Sequence, residues 1–172
     1  MHIIKTIVVL AKSIKHGKYC VAGKDVNSNE WIRPVSDING SELLDQQCKC
    51  TNDNWVNQGK PPYKSKVLQK LEMKFLQHAP LPNQPENHII SDIVWQQRFK
   101  IEKDQIQNYL DEPETLWGND DRIDYSLIEN NIVSIPQSLY LVKIDDLKLY
   151  RNEESKRRAS FIFTKTRVMI YP

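Results

Sequence analysis

The sequence predicts a mainly β fold of the α+β class, with strand-rich ends around a helical and loop-rich middle. β-branched and apolar residues dominate both ends of the chain, whereas residues 37–92 are repeatedly interrupted by proline, glycine, asparagine and aspartate. The 172 residues suffice for one ordinary domain or two small ones, and they contain no repeat of fixed period. Small barrels are therefore favoured over a parallel α/β sheet.

The first third of the chain predicts three strands. "IIKTIVVLAKS" and "KYCVAGKDV" are apolar and β-branched, and the turn pair His16-Gly17 joins them. "NEWIRPV" follows with a strand-like alternation, which places Trp31 and Arg33 on the same face. Residues 37–63 then predict a long excursion with one helical turn at "SELLDQQ".

The middle of the chain is harder to assign. "KSKVLQKLEMKFLQ" satisfies both a helical and an alternating pattern, so its periodicity leaves helix and strand open. "SDIVWQQRFK" and "KDQIQNYLDE" predict helices, with Ser91 as the N-cap of the first.

The last third returns to strands. "PETLWGNDDRID" predicts a turn at Gly118-Asn119, and "PQSLYLVKIDDLKLYRN" predicts a strand bent at Asp145-Asp146. "RRASFIFTKTRVMIY" supplies one or two further strands.

Composition narrows the class of protein. No apolar run approaches the roughly 18 residues of a membrane span, and the apolar N-terminal stretch lacks a signal-cleavage pattern. Three cysteines form no paired framework, so we expect a reducing, cytoplasmic location. "CKC" has no second thiol pair or nearby histidine, so we expect no metal site, and no motif indicates a cofactor.

Charge is unevenly distributed along a chain of net charge +2. Residues 1–33 carry six basic and two acidic side chains, and residues 148–172 carry seven basic and two acidic ones. This pattern is equally compatible with a nucleic-acid-binding face and with an ordinary solvated surface.

The stretch "QHAPLPNQPENHIISD" holds the main polar candidates on a path that three prolines stiffen. Gln84, Glu86, Asn87 and His88 either cap the entry to the next element or form a ligand-reading loop, and these two alternatives are equally weighted. If the chain were an enzyme, His88 would be the general acid or base and Glu86 would orient it. The G-x-S-x-G, G-x-x-x-x-G-K-[ST] and G-x-G-x-x-G motifs are absent.

Aromatic residues next to arginines form the second group of candidates. Trp31 precedes Arg33 and Trp117 precedes Arg122, so each pair combines a stacking surface with a planar donor. Buried core packing is the more common role for a tryptophan. For the aspartates around Arg122, an ion-paired turn is favoured over a cation site.

These motifs together resemble a known family. "TIVVLAKSIKHGKYCVAGKD", "WIRPVS", "QPENHII", "LWGNDDRI" and "SLYLVKIDDLKL" occur in the order typical of the dual OB-containing domain, across about residues 3–150. The resemblance implies two OB-like β-barrels, at residues 1–80 and, after connecting loop and helices, within residues 81–172. It also implies a prokaryotic, conflict- or defence-associated protein that binds nucleic acid or a nucleotide.

The family's polar signature falls on specific positions of this chain, for which the family provides no established roles. They are Arg33, Pro34, Ser36, Gln84, Glu86, Asn87, His88, Trp117, Gly118, Asn119 and Arg122. Family members continue with further strands after "ASFIFTKTRVMIYP", so we expect the second barrel to close differently or to leave an open strand edge. An open edge could support a homodimer or recruit a partner protein.

The sequence therefore predicts a non-catalytic module that recognises single-stranded nucleic acid or a nucleotide. An enzyme acting on such a substrate is the first alternative, and an interaction scaffold is the second. We expect "WIRPVS", "QPENH" and "LWGND" to form one site. Its predicted binding residues are Trp31, Arg33, Ser36, Gln84, Glu86, Asn87, His88, Trp117, Asn119 and Arg122.

Overall fold

The computed structural model describes residues 2–118, 122–163 and 166–170. They divide into two compact units. Unit 1 comprises Met1–Tyr109 and Ile135–Leu139, and unit 2 comprises Leu110–Ser134 and Tyr140–Pro172. No helix in the described residues is long and apolar enough to cross a membrane.

Unit 1 is built from eight strands, one short α-helix and two 3-10 helices. The strands are β1 (Ile3–Lys15), β2 (Lys18–Asp25), β3 (Trp31–Val35), β4 (Lys49–Thr51), β5 (Tyr63–Lys64), β6 (Gln69–His78), β7 (Asn87–Ile90) and β8 (Trp95–Lys100). The helices are α1 (Asp53–Asn57) and the 3-10 helices Asp45–Cys48 and Lys103–Tyr109.

Five strands of unit 1 close into a barrel. The order is β1-β2-β3-β7-β6, and β6 also pairs with β1. All neighbours are antiparallel except β3 and β7, which run parallel. The mainly β prediction is confirmed, and the closed five-stranded barrel is the architecture expected of an OB-like domain.

Buried side chains at every second position of the strands fill the barrel. In β6, Leu71, Met73 and Phe75 are fully buried, while the residues between them are half-buried. This period of two shows that "KSKVLQKLEMKFLQ" contains a strand. The core is completed by Ile7, Val9, Tyr19, Val21, Ile32, Leu43, Cys48, Cys50, Ile90 and Trp95.

Beyond the barrel, the sheet extends as β8-β4-β5 from the first half of β6. β8 pairs with Gln69–Glu72 of β6, and Trp95 at its start is 1% exposed within the core. The helix prediction for "SDIVWQQRFK" is therefore wrong: the free edge of β6 recruits this segment as a strand. Ser91 is not an N-cap, because a strand and not a helix follows it, and its own N–H donates to the carbonyl of Lys74. The helix predicted for "KDQIQNYLDE" is present as the 3-10 helix Lys103–Tyr109.

Unit 2 contains α2 (Tyr125–Glu129) and a three-stranded sheet in the order β11-β10-β9. Its strands are β9 (Asp145–Arg151), β10 (Arg157–Phe163) and β11 (Thr166–Ile170). The strand predicted for "PQSLYLVKIDDLKLYRN" is shorter than expected, because residues 136–144 are irregular. Asp146 has a φ of 49°, which fits the bend predicted at Asp145-Asp146.

The domain boundary predicted between residues 80 and 81 falls between β6 and β7, which pair with each other in one sheet. Unit 1 extends to Tyr109 because β7 and β8 both take places in that sheet.

Gly23 permits the close approach of β1 and β2. A Cβ at this position would lie 2.1 Å from the carbonyl oxygen of Val8, which is backbone and cannot move aside. We expect Gly23→Ala to lower the free energy of unfolding by about 1–3 kcal/mol in urea denaturation. Gly17→Asn is the control, because Gly17 faces open space and asparagine tolerates its φ of 76°. Equal stability of Gly23→Ala and wild type would contradict this account of the barrel.

Candidate functional site

One end of the barrel of unit 1 forms a cavity of about 520 Å³. The start of β1, the end of β2, the starts of β3 and β7 and the end of β6 all meet there, because neighbouring strands alternate in direction except at β3–β7. We call this cavity the barrel mouth. Its charged and aromatic lining residues are Lys5, Glu30, Trp31, His78, Glu86 and His88.

The loop between β6 and β7 forms one side of the barrel mouth. Leu81 and Gln84 exchange two backbone hydrogen bonds of 3.1 and 2.9 Å, and the Ala79 N–H donates to the carbonyl of Asn87. Prolines at 80, 82 and 85 restrict the remaining backbone. The loop is therefore held in one shape, and it brings the end of β6 against the start of β7.

That pairing places two histidines side by side. His78 and His88 are cross-strand partners, and their ring centroids lie 4.6 Å apart. His78 is exposed and its Nε2 donates to the carbonyl of Pro85 at 2.7 Å. His88 is 7% exposed and its ring packs edge-on against Phe75, with centroids 5.3 Å apart.

The protonation state of His88 follows from its surroundings. Its Nδ1–H donates to the carbonyl of Glu86 at 2.9 Å. Burial lowers the pKa of His88 below its ordinary value of 6.5, and neighbouring His78 lowers it further, against the effect of the Glu86 hydrogen bond. His88 is therefore neutral at pH 7, with Nδ1 protonated and Nε2 left as an acceptor.

Glu86 connects several parts of unit 1. Its carbonyl accepts from the Arg33 N–H at 3.0 Å as well as from His88. Its carboxylate, on a residue that is 6% exposed, accepts from the N–H of Ser138 at 3.3 Å and from the Ser138 hydroxyl. Glu86 thus orients His88 through its backbone, and its side chain anchors the segment Ile135–Leu139.

Three further predicted site residues have loop-forming roles in the structure. Asn87 is fully buried, and its Nδ2 donates to Oε1 of Gln84 at 3.1 Å. Both amides pack against Gly40, where a Cβ would lie 2.8 Å from Nδ2 of Asn87. The N–H and hydroxyl of Ser36 both donate to the carbonyl of Ser41, which closes the loop after β3.

Arg33 lies within β3 and is half-buried, next to Asn87 of β7 in the strand register. Trp31 is 7% exposed and lines the barrel mouth. The motifs "WIRPVS" and "QPENH" are therefore neighbours in unit 1.

The motif "LWGND" belongs to unit 2, where Trp117 and Arg122 line a cavity of about 550 Å³ together with Leu127 and Val133. Asp124, also at this cavity, caps α2 by accepting from the N–H and hydroxyl of Ser126. These hydrogen bonds lower the pKa of Asp124, and Arg122 adds to the effect. Asn119 and Asp121 lie outside the described residues, and one shared site for all three motifs stays a prediction.

Sequence reasoning missed several groups of the barrel mouth. Lys5 and Glu30 belong to no motif that would single them out in the sequence. In the structure, Nζ of Lys5 lies 3.5 Å from the carboxylate of Asp25 in an ion pair. Ser138 carries no local signal at all, because only the fold brings it to Glu86. His78 had a signal, namely its position directly before the proline-rich loop that returns to His88.

The "CKC" cysteines belong to the core. Burial raises the pKa of Cys48 and Cys50 to about 11, so both stay protonated at neutral pH. In the described part of the chain, no group of three or more histidine, cysteine, aspartate or glutamate side chains could hold a metal ion.

The closed five-stranded barrel of unit 1, in the order β1-β2-β3-β7-β6, has the architecture of an OB-fold protein. A family model, described as the dual OB-containing domain, matches residues 5–171, and the chain belongs to this family. No curated protein and no solved structure matches the chain.

Because the pKa of His88 is lowered in the folded state, the unfolded chain takes up the proton more readily. The stability that neutral His88 contributes is present above pH 6.5 and is lost as the pH falls. We expect His88→Asn, which keeps a donor for Glu86 but does not titrate, to reduce the loss of unfolding free energy between about pH 7.5 and pH 5. Urea denaturation at both pH values measures it.

His16→Asn is the matched control for this titration, because His16 occupies an exposed turn with a φ of 51° that asparagine tolerates. It should retain the full pH dependence of the wild type. If His88→Asn and wild type lost equal stability on acidification, the neutral state assigned to His88 would be incorrect.

Proposed function

We propose that this protein recognises single-stranded nucleic acid or a nucleotide, and that the barrel mouth of unit 1 receives a base. The observation that carries the proposal is the pairing of His78 with His88 beside the stiff β6–β7 loop. OB barrels bind oligonucleotides through the face of strands 2 and 3 and through the loops between strands 1 and 2 and strands 4 and 5. The β6–β7 loop joins the fourth and fifth strands of this barrel.

Burial favours the loop and the mouth over the strand face. Ala22, Lys24 and Val35 on β2 and β3 are at most 2% exposed, so they offer little surface for stacking. By contrast, His78 is exposed and offers a ring face to a base, while His88 packs beside it and Phe75 supports His88 edge-on from the core. Aromatic and imidazole faces accept any base, which fits a sequence-tolerant binder.

Charge in the barrel mouth indicates that it receives a base rather than a phosphate. Lys5 is paired with Asp25, and Glu30 adds a negative group. Nε2 of His88 is an acceptor, which suits the amino and imino donors of a base edge. We infer that phosphates contact exposed lysines elsewhere on unit 1, and that Trp117 and Arg122 in unit 2 supply a further contact.

We propose that this activity takes place in the cytoplasm, and the free thiols support that location. Cys20, Cys48 and Cys50 are unpaired, as expected of a protein in the reducing cytoplasm.

Fluorescence anisotropy with labelled single-stranded DNA and RNA of about 15 nucleotides tests the proposal. Three phosphate contacts would reduce affinity about 20-fold between about 50 and 200 mM salt. We expect His78→Ala to weaken binding about 5- to 100-fold, because it removes one stacking surface. Gln107→Ala, an exposed and uncharged change on the 3-10 helix Lys103–Tyr109, should stay within about twofold of wild type. Absence of binding at low salt would refute nucleic-acid recognition and favour the scaffold.

One observation favours catalysis as a second candidate function. A neutral histidine whose Nδ1–H is fixed by a carbonyl leaves Nε2 free to accept a proton, which is the arrangement of a general base.

We expect the purified protein to turn over neither single-stranded nucleic acid nor nucleoside triphosphates, and His88→Ala to alter affinity alone. Product analysis by chromatography after prolonged incubation checks this. If wild type forms product and His88→Ala reduces the rate about 10²–10⁴-fold while His16→Ala does not, the protein is an enzyme.

A further inference from the structure

Phe99 is an aromatic residue with no packing explanation. It lies in β8, outside the barrel, and its side chain is 72% exposed. Tyr125 and Tyr150, which carry polar hydroxyls, are less exposed at 56% and 41%. Single exposed apolar residues are common on protein surfaces, so Phe99 points to a ligand only through the charged and polar groups beside it.

Two basic side chains lie on the same face of the sheet as this ring. Lys70 of β6 is its cross-strand partner, and Arg98 precedes it at the register shift, whereas Lys100 pairs with Gln69 and points to the opposite face. Two hydrogen bonds of 2.9 and 3.2 Å from Arg98 to Glu72 hold that guanidinium in place. A lysine beside an exposed aromatic ring is a combination that binds a base together with a flanking phosphate.

A cavity of about 540 Å³ adjoins Phe99 and carries hydrogen-bonding groups. Oε1 of Gln97 accepts from the Tyr63 hydroxyl at 2.6 Å and from Nε2 of Gln69 at 2.7 Å, which fixes the orientation of the Gln97 amide. Asn54 and Asp53 line the same cavity and are exposed. Amide and carboxylate groups beside a stacking surface can read the edge of a base.

We propose that an unstacked base of a single-stranded nucleic acid stacks on Phe99, with its edge towards Asn54 and Gln97 and a flanking phosphate near Lys70. This inference rests on the proposed function and adds a second contact surface on unit 1. β8 pairs with the first four residues of β6, whereas His78 ends that strand. The Phe99 surface is therefore separate from the barrel mouth, because Lys70, the partner of Phe99, precedes His78 on β6 by roughly 26 Å of strand.

The test compares Phe99→Ala, Phe99→Trp and Tyr125→Ala by anisotropy with the same labelled oligonucleotides. We expect Phe99→Ala to weaken binding about 5- to 100-fold and Phe99→Trp to bind within about twofold of wild type, because tryptophan retains the stacking face. Tyr125→Ala, which removes an exposed aromatic residue of unit 2, should have no effect. Phe99→Ala should leave the salt dependence of the affinity unchanged. Lys70→Ala should reduce the slope of log affinity against log salt concentration by the amount that one phosphate contact contributes.

The outcomes separate this inference from the proposed function. If wild type binds, His78→Ala weakens binding and Phe99→Ala matches Tyr125→Ala, the barrel mouth stands and the Phe99 surface is refuted as a nucleic-acid contact. If Phe99→Ala and Phe99→Trp lose affinity equally, stacking is refuted. If wild type binds no oligonucleotide at any salt concentration, both proposals fail together.

Discussion

The parallel pairing of β3 with β7 closes the barrel, and the rest of unit 1 depends on it. Arg33 lies opposite Asn87 and Pro34 opposite His88 in this register. The Glu86 carbonyl joins the two strands by accepting from the Arg33 N–H, and it accepts from His88 as well. Proline is rare in paired strands because it lacks an N–H. Pro34 is accommodated because β2 pairs with Trp31 and Ile32, before the proline is reached.

The groups of the barrel mouth are constrained from two directions. From within, the core residue Phe75 supports the ring of His88, so burial keeps that ring uncharged. From outside, Ser138 donates two hydrogen bonds to the carboxylate of Glu86. A buried carboxylate needs such hydrogen bonds to offset its loss of hydration. The result is a recess whose polar groups are already oriented for the ligand that we propose. Such preorganisation reduces the entropy that binding would otherwise cost.

Much of the fold was predictable from local pattern. β1, β2 and β3 have β-branched, alternating sequences, and the structure contains them where they were expected. β8 was missed because "WQQRFK" has no strand alternation, and its conformation comes from the free edge of β6. Propensity was overridden by tertiary pairing in this segment.

The site was less predictable than the fold. The proline-rich loop identified Glu86 and His88 as polar residues held on a rigid path, and both line the barrel mouth. The same reasoning could not find Lys5 or Ser138, which are distant in sequence and ordinary in type. The predicted site also included Ser36 and Asn87, whose side chains make hydrogen bonds within loops. The sequence does not distinguish a polar group that closes a turn from one that faces a ligand.

The parallel closure has a kinetic consequence. β3 and β7 are separated by the whole excursion through β4, α1, β5 and β6, so their pairing joins residues that are remote along the chain. Contacts of this kind form late and slowly, since a long loop must be ordered before any of them is made. The hairpin of β1 and β2 can form early, because a short turn connects its strands. The barrel mouth therefore reaches its final shape late, when Trp31 and Arg33 join the β6–β7 hairpin, although that hairpin can bring the two histidine rings together earlier.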